Sequence, residues 1–309
     1  MTVAKEAITR FLDLRALWGG GEVSDKVQPK QWNGTAEIGE TDYDDHSLYA
    51  DLAPADLAQY VCGKDVLIAT HGFKKNRQQG IQALSEWRKL LSLPESAAYL
   101  GLLWPGDSEF FGPLCYPAEP AHAMRAGDKL AAFVDANLQN AATLSFVSHS
   151  LGARVILEAM TTMQSPVEKA ILMAGAVDDH CLTGEFSRIQ QKAKEIVVLA
   201  SKEDEVLRWE FPIGDFAAEI IDHDHPWWES ALGRFGPAKR PEHYLPPCEI
   251  PKQWKYGHAD YLQVDPPAPA PIPPPPPPAM PPPVNPLPLC GVDGWQEAWS
   301  ASVVSAFFR

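Results

Sequence analysis

The chain has 309 residues, enough for one large domain or two small ones with a properly buried core. Hydrophobic residues make up 45% and charged residues 21%, which is ordinary globular usage. With 26 Lys and Arg against 40 Asp and Glu the net charge is −14, which argues against nucleic acid as a general partner, and no apolar run approaches the roughly 20 residues of a membrane span.

In chain order, Met1 to Trp18 mixes Lys5, Glu6, Arg10, Asp13 and Arg15 among apolar residues. That lacks the uninterrupted apolar core of a secretory signal, so the pattern predicts an amphipathic helix and a cytoplasmic protein. Residues 1–60 are read as an N-terminal extension with the first elements of a sheet. Residues 61–265 form the main domain, where short apolar runs alternate with helical spacing. Val66 to Thr70, Tyr99 to Trp104, Leu144 to Val147, Lys169 to Ala174 and Glu195 to Ala200 read as strands. Helical patterns over Gly80 to Leu91, Ala121 to Leu138 and Leu151 to Met163 fall between them. Strands apolar on both faces and separated by helices predict a mostly parallel sheet covered on both sides. The working residues of such a sheet sit at the carboxyl ends of its strands.

Two stretches interrupt that rhythm and are expected to cap the site. Residues 104–120 contain Phe110 and Phe111; residues 208–256 contain Trp227 and Trp228. Residues 266–289 are a proline-rich strap or linker, with an unbroken run from Pro273 to Pro278. The tract is also a candidate ligand for a proline-recognising partner. In residues 290–309, Trp295, Ala298, Trp299, Val303 and Phe307 share one helical face, which predicts an amphipathic helix docked on the body. The five cysteines are scattered and odd in number, so they read as free thiols rather than a disulfide framework.

Two segments carry chemistry. In Val147-Ser148-His149-Ser150-Leu151-Gly152 an apolar strand runs straight into Ser-x-Ser-x-Gly and a helix begins at once. This is similar to the nucleophile elbow, usually Gly-x-Ser-x-Gly, in which a sharp turn makes the serine stand proud of the sheet. Small residues are needed two places before and after the serine; Gly152 satisfies this and Ser148 is a departure. The bland alternative is a Ser-rich turn that caps a helix. The second segment, Ile68-Ala69-Thr70-His71-Gly72-Phe73, is a strand end followed by His-Gly-Phe.

With Leu103-Trp104-Pro105-Gly106, these segments make residues 65–262 resemble the serine α/β-hydrolase superfamily. Within it they resemble a poorly characterised bacterial esterase-like branch with a Ser-His-Ser-Leu-Gly elbow. The resemblance implies an α/β-hydrolase fold with aromatic-rich cap insertions and a two-step covalent hydrolysis, with no metal or organic cofactor. Ser150 would be the nucleophile, and the backbone amides of Phe73 and Leu151 the oxyanion donors. The acid should follow a later strand: Asp204 is favoured, with Glu203, Glu205, Asp178 and Asp179 as competitors. The base should come later still. His258, in a Gly-His turn, is preferred; His223 and His225 remain alternatives. The cluster His223, Asp224 and His225 also reads as possible metal ligands, though no second cluster supports it. His71, Trp104, Phe110, Phe111, Trp227 and Trp228 are the expected substrate-binding residues, although His71 also reads as a loop-holding group.

The expected activity is therefore a serine carboxylesterase acting on hydrophobic esters of short or medium chain, with a small-molecule ester as its partner. An acyltransferase or thioesterase would use the same scaffold. A non-catalytic scaffold that recruits partners through the proline tract is the alternative from another class.

Overall fold

The computed structural model describes residues 8–16, 22–33, 49–106, 119–208, 230–245, 248–250, 255–262 and 299–308. Nine strands form one sheet: β1 Thr9–Arg15, β2 Val23–Trp32, β3 Tyr49–Asp51, β4 Asp65–Thr70, β5 Ala97–Leu103, β6 Thr143–His149, β7 Val167–Met173, β8 Ala193–Ala200 and β9 Cys248–Glu249. Their order is β3-β2-β1-β5-β4-β6-β7-β8-β9. β2 runs antiparallel to both β1 and β3; every pairing from β1 to β9 on the other side is parallel. The helices are α1 Pro54–Val61, α2 Arg77–Leu90, α3 Glu119–Asn137, α4 Gly152–Thr162, the short α5 Leu232–Phe235, and α6 Trp299–Ala306.

Topology follows from these connections. β4 leads through α2 to β5 on one side, then the chain returns through α3 to β6 on the other side of β4. Right-handed crossovers in opposite directions put α2 and α3 on opposite faces. α4 follows β6 in the same sense as α3, and α3 and α4 indeed pack together. The loops after β4 and β6 therefore diverge, leaving a crevice at the carboxyl ends of two neighbouring strands, where open α/β sheets bind ligands. His-Gly-Phe follows one of these strands and the serine elbow the other.

The core is continuous from β1 to β8. Val66, Leu67, Ile68 and Ala69 of β4 and Val197, Val198 and Leu199 of β8 are all buried, so both faces of the sheet are covered. α2 starts on a capping box: the Asn76 side chain accepts from the Gln79 amide at 2.8 Å, and Gln79 accepts from the Asn76 amide at 3.1 Å. Its apolar face, Ile81, Leu84 and Trp87, is wholly buried.

The structure corrects the expectation for the N-terminus. Thr9 to Arg15 is not part of an amphipathic helix but a strand between β2 and β5. Phe11, Leu12 and Leu14 are fully buried, and so are Asp13 and Arg15. The two charges that imitated a polar helix face lie inside and are bonded. Asp13 takes an ion pair from Arg77 at 2.9 Å and a hydrogen bond from the Tyr49 hydroxyl at 2.8 Å. Arg15 donates to the Trp104 carbonyl at 3.0 Å and the Lys75 carbonyl at 3.2 Å.

Residues 230–250, expected within a cap insertion, lie against the body where they are described. The Leu232 and Gly233 amides donate to Val177 and Gly175 carbonyls, Tyr244 bridges to Ile196, and β9 extends the sheet. Phe110, Phe111, Trp227 and Trp228 lie outside the described residues, as do His223, Asp224, His225 and the proline tract.

α6 packs on α2 and on a 3-10 turn at His258–Leu262. Ala301, Val303 and Val304 are fully buried, and Phe307 lies under the Lys169 ammonium. Ser300 accepts from the Trp87 indole at 3.2 Å and donates to the Tyr261 carbonyl at 2.6 Å. Trp295 and Ala298 of the expected helical face fall outside the described residues. Cys62 and Cys181 are free thiols, and burial pushes the Cys181 thiol pKa up. Among the described residues no helix is long and apolar enough to cross a membrane.

Candidate active site

Ser150 stands at the bend between β6 and α4 with φ of +54°, a left-handed conformation that non-glycine residues seldom adopt. The bend is held on both sides: the Ser150 amide donates to the Met173 carbonyl at 3.0 Å, and its own carbonyl accepts from Ala153 and Ala176. Gly152 is required by space, since a Cβ there would lie 2.5 Å from the His71 carbonyl oxygen. Ser148, where the motif usually has glycine, is fully buried and its hydroxyl finds no partner among the described residues.

His258 lies 108 positions away and opens the 3-10 turn. Its Nε2 is 2.8 Å from Ser150 Oγ, and its Nδ1 is 2.7 Å from Asp204 Oδ2. Asp204 is fully buried just past β8, and its other oxygen accepts from the Leu207 amide at 2.9 Å. An ionised carboxylate only accepts, so Nδ1 carries the proton and Nε2 presents its lone pair to the serine hydroxyl. Such a line can take the proton from Ser150 as its oxygen attacks an electrophile, and can steady the resulting imidazolium.

The segment after β4 closes over the serine. A Cβ at Gly72 would lie 2.8 Å from the Ser150 Cβ, so glycine is what lets this backbone approach. Lys74 adopts φ of +57° and its amide donates to the Gly106 carbonyl at 2.7 Å, while Arg15 grips the Lys75 carbonyl. The chain just after Phe73 is thus held in place. Among the described residues no acceptor meets the Leu151 amide, at the mouth of α4.

His71 and Trp104 do not form a wall for substrate. Both are fully buried and bonded to each other: the Trp104 indole donates to the His71 carbonyl at 3.0 Å, and the rings stack at 5.9 Å. His71 Nδ1 donates to the Gly72 carbonyl at 2.9 Å, and Nε2 accepts from the Trp104 amide at 3.4 Å. Burial lowers the His71 pKa to about 3. The pair ties the loop after β4 to the loop after β5, which is the loop-holding reading of His71.

Three of the four competing acids have other partners. Asp179 contacts His180 Nδ1 at 2.7 Å, Asp178 receives the His180 amide, and Glu205 pairs with Arg208. Asp178, Asp179 and His180 bring ligand atoms within 4.8 Å of one another, the one such group among the described residues, but they are partly exposed and already engage each other.

Several residues around His258 give no motif in the sequence. Ser201 donates to the Tyr256 carbonyl at 2.6 Å, Asp260 accepts from the Gly257 amide at 2.6 Å, and Ser300 holds Tyr261. His149, inside the elbow, donates from Nε2 to the His258 carbonyl at 2.8 Å. Adjacency to Ser150 is the available signal for His149; Ser201 and Ser300 offer none.

Comparison with solved structures returns esterases. The chain resembles esterase PE8 at 17% identity, covering 64% of this chain and 86% of that one, with a TM-score of 0.34. It resembles an inhibited esterase B from Lactobacillus rhamnosis at 10% identity, covering 72% and 74%, with a TM-score of 0.34. It resembles the carboxylesterase EstE1, cloned from a metagenomic library, at 8% identity, covering 74% and 76%, with a TM-score of 0.33. No curated protein matches the chain. Residues 54–214 match the family described as "Alpha/beta hydrolase of unknown function (DUF900)", a span that holds His71-Gly72-Phe73, the elbow and Asp204 and ends before His258. The chain belongs to that α/β-hydrolase family.

Proposed function

We propose that the protein is a serine carboxylesterase that cleaves hydrophobic esters of short or medium chain through an acyl-enzyme. The observation that carries this reading is the line from Ser150 Oγ through His258 to Asp204, at 2.8 and 2.7 Å. In the first step Ser150 attacks the ester carbonyl and His258 takes the hydroxyl proton. The amides of Phe73 and Leu151 receive the negative charge of the tetrahedral intermediate, each contributing about 3–4 kcal/mol of barrier reduction. His258 then gives its proton to the departing alcohol, leaving the acyl group on Ser150. In the second step His258 activates water, which releases the acid and restores the serine. Asp204 holds the imidazole tautomer and offsets its charge throughout. The preference for apolar acyl groups rests on the aromatic content of residues 104–120 and 208–256.

The test is direct. A fluorophosphonate probe is expected to label Ser150, found by peptide mass, and p-nitrophenyl butyrate to be turned over. Ser150→Ala should lose both while keeping the native circular dichroism and melting temperature; an unlabelled native chain would sink the reading. Adding alcohol or thiol acceptors separates an esterase, whose product is the free acid, from an acyltransferase.

A further inference from the structure

Two imidazoles lie beside the serine: His258, which is hydrogen-bonded to its hydroxyl, and His149, which bonds to the main chain of His258. His149 precedes Ser150 in the chain, and its ring centroid is 4.9 Å from that of His258, tilted by 48°. Its Nε2 points at the main-chain oxygen of His258, 2.8 Å away. A carbonyl accepts only, so Nε2 carries the proton and His149 is fixed as the Nε2–H tautomer.

We propose that His149 is a positioning residue for the base, holding the backbone of His258 so that its imidazole stands within reach of Ser150. The inference rests on the reading of His258 as the base. Three observations support it. The bond reaches the base's own main chain, so it constrains where the Cα sits, a freedom that the Asp204 bond at the ring's far side leaves open. The other anchors of the turn fall on Tyr256, Gly257, Asp260 and Tyr261. And the donor is the neighbour of the nucleophile on a strained bend, so serine and base ride on one rigid unit. A shift of the elbow carries both.

The charge state of His149 suits this task. Burial, and next the adjacent His258, hold its pKa down to about 3, so it stays neutral at working pH. A permanently cationic neighbour would oppose the imidazolium that His258 becomes on taking the serine proton. Tyr261, with its ring 6.1 Å from His149, closes the other side and is itself fully buried.

Length of side chain gives the experiment. Glutamine reaches with its amide about as far as Nε2 of histidine; asparagine stops one bond short. With p-nitrophenyl butyrate, His149→Gln is expected to stay within about 5-fold of native kcat, whereas His149→Asn should fall about 100-fold with KM unchanged, the scale of a 1 Å misplacement. Labelling of Ser150 by the fluorophosphonate should slow in parallel, while both variants keep similar melting temperatures. A purely structural contribution would instead lower melting temperature and leave kcat of the folded fraction intact. Equal kcat in native and Asn proteins, or equal loss in Gln and Asn, overturns the proposal. If Asn does not fold, His149→Met supplies the same length without a donor. A native chain that fails to label defeats the esterase reading itself, and so is told apart from failure of this one.

Discussion

Two buried polar clusters sit at the carboxyl edge of this sheet, and they differ in what lies at the end of the chain of bonds. At β1, Asp13 meets Arg77 and Tyr49, and Arg15 meets the carbonyls of Trp104 and Lys75; each of these partners is another group of the protein. At β6, Asp204 meets His258, which meets a serine hydroxyl. Both begin with a carboxylate that is almost completely out of water. In the first, each of these bonds ties one stretch of the chain to another. The second ends on an atom that can form a bond to something else. On the proposed reading, reactivity at this edge comes from the last link, whereas burying a carboxylate is common to both clusters.

That contrast can be broken by mutation. Asp204→Asn should cost about 10⁴-fold in kcat, because the amide favours the wrong tautomer of His258 while leaving the shape intact. Ester turnover together with unchanged urea unfolding would check it. Asp13→Ala should do the reverse. It leaves Arg77 buried beside an empty place, at a cost of about 3–5 kcal/mol in stability. The folded fraction should keep most of its activity, since Asp13 touches neither His258 nor Ser150. A loss of kcat like that of Asp204→Asn would mean that the two clusters are not separate.

The smallest effect is acid sensitivity. His71 and His149 are held neutral with pKa about 3, against an ordinary value near 6.5 in the unfolded chain. Between those values the unfolded chain binds protons that the folded chain refuses. The stabilisation is thus fully present above pH 6.5 and is lost as pH falls toward 3. At pH 5.5 each histidine should cost about 1–1.5 kcal/mol relative to neutral pH. Urea midpoints measured from pH 7 to pH 5 should fall, and His149→Gln should flatten the slope. An unchanged slope in that variant would show that His149 is not the neutral buried group described.

Much of the site was legible because its chemistry lies next to strand ends. Ser150 and Asp204 each follow an apolar run by a few residues, and His258 follows a glycine in a short turn, so local pattern pointed to the three groups that lie together here, with His223 and His225 still open as alternatives. The β4, β5, β6, β7 and β8 segments were equally plain, being apolar on both faces. β1 was not, because its charges are satisfied by groups far away in sequence: Asp13 by Arg77, Arg15 by Trp104. A buried ion pair looks the same in sequence as a wet helix face. His71 and Trp104 misled in the same way. Aromatic residues beside a reactive loop suggest a substrate wall, but their polar atoms face each other across 33 positions and seal them in. The contact of His149 with His258 spans 109 positions and leaves no periodic trace.

The docking of α6 has a consequence for the order in which the protein is made. Translation delivers the serine first, then the carboxylate, then the imidazole, and only afterwards Ser300, which fastens the turn that bears the imidazole. A nascent chain halted at residue 262 would own all three groups of the proposed site and still lack the clasp supplied by the helix yet to emerge from the ribosome.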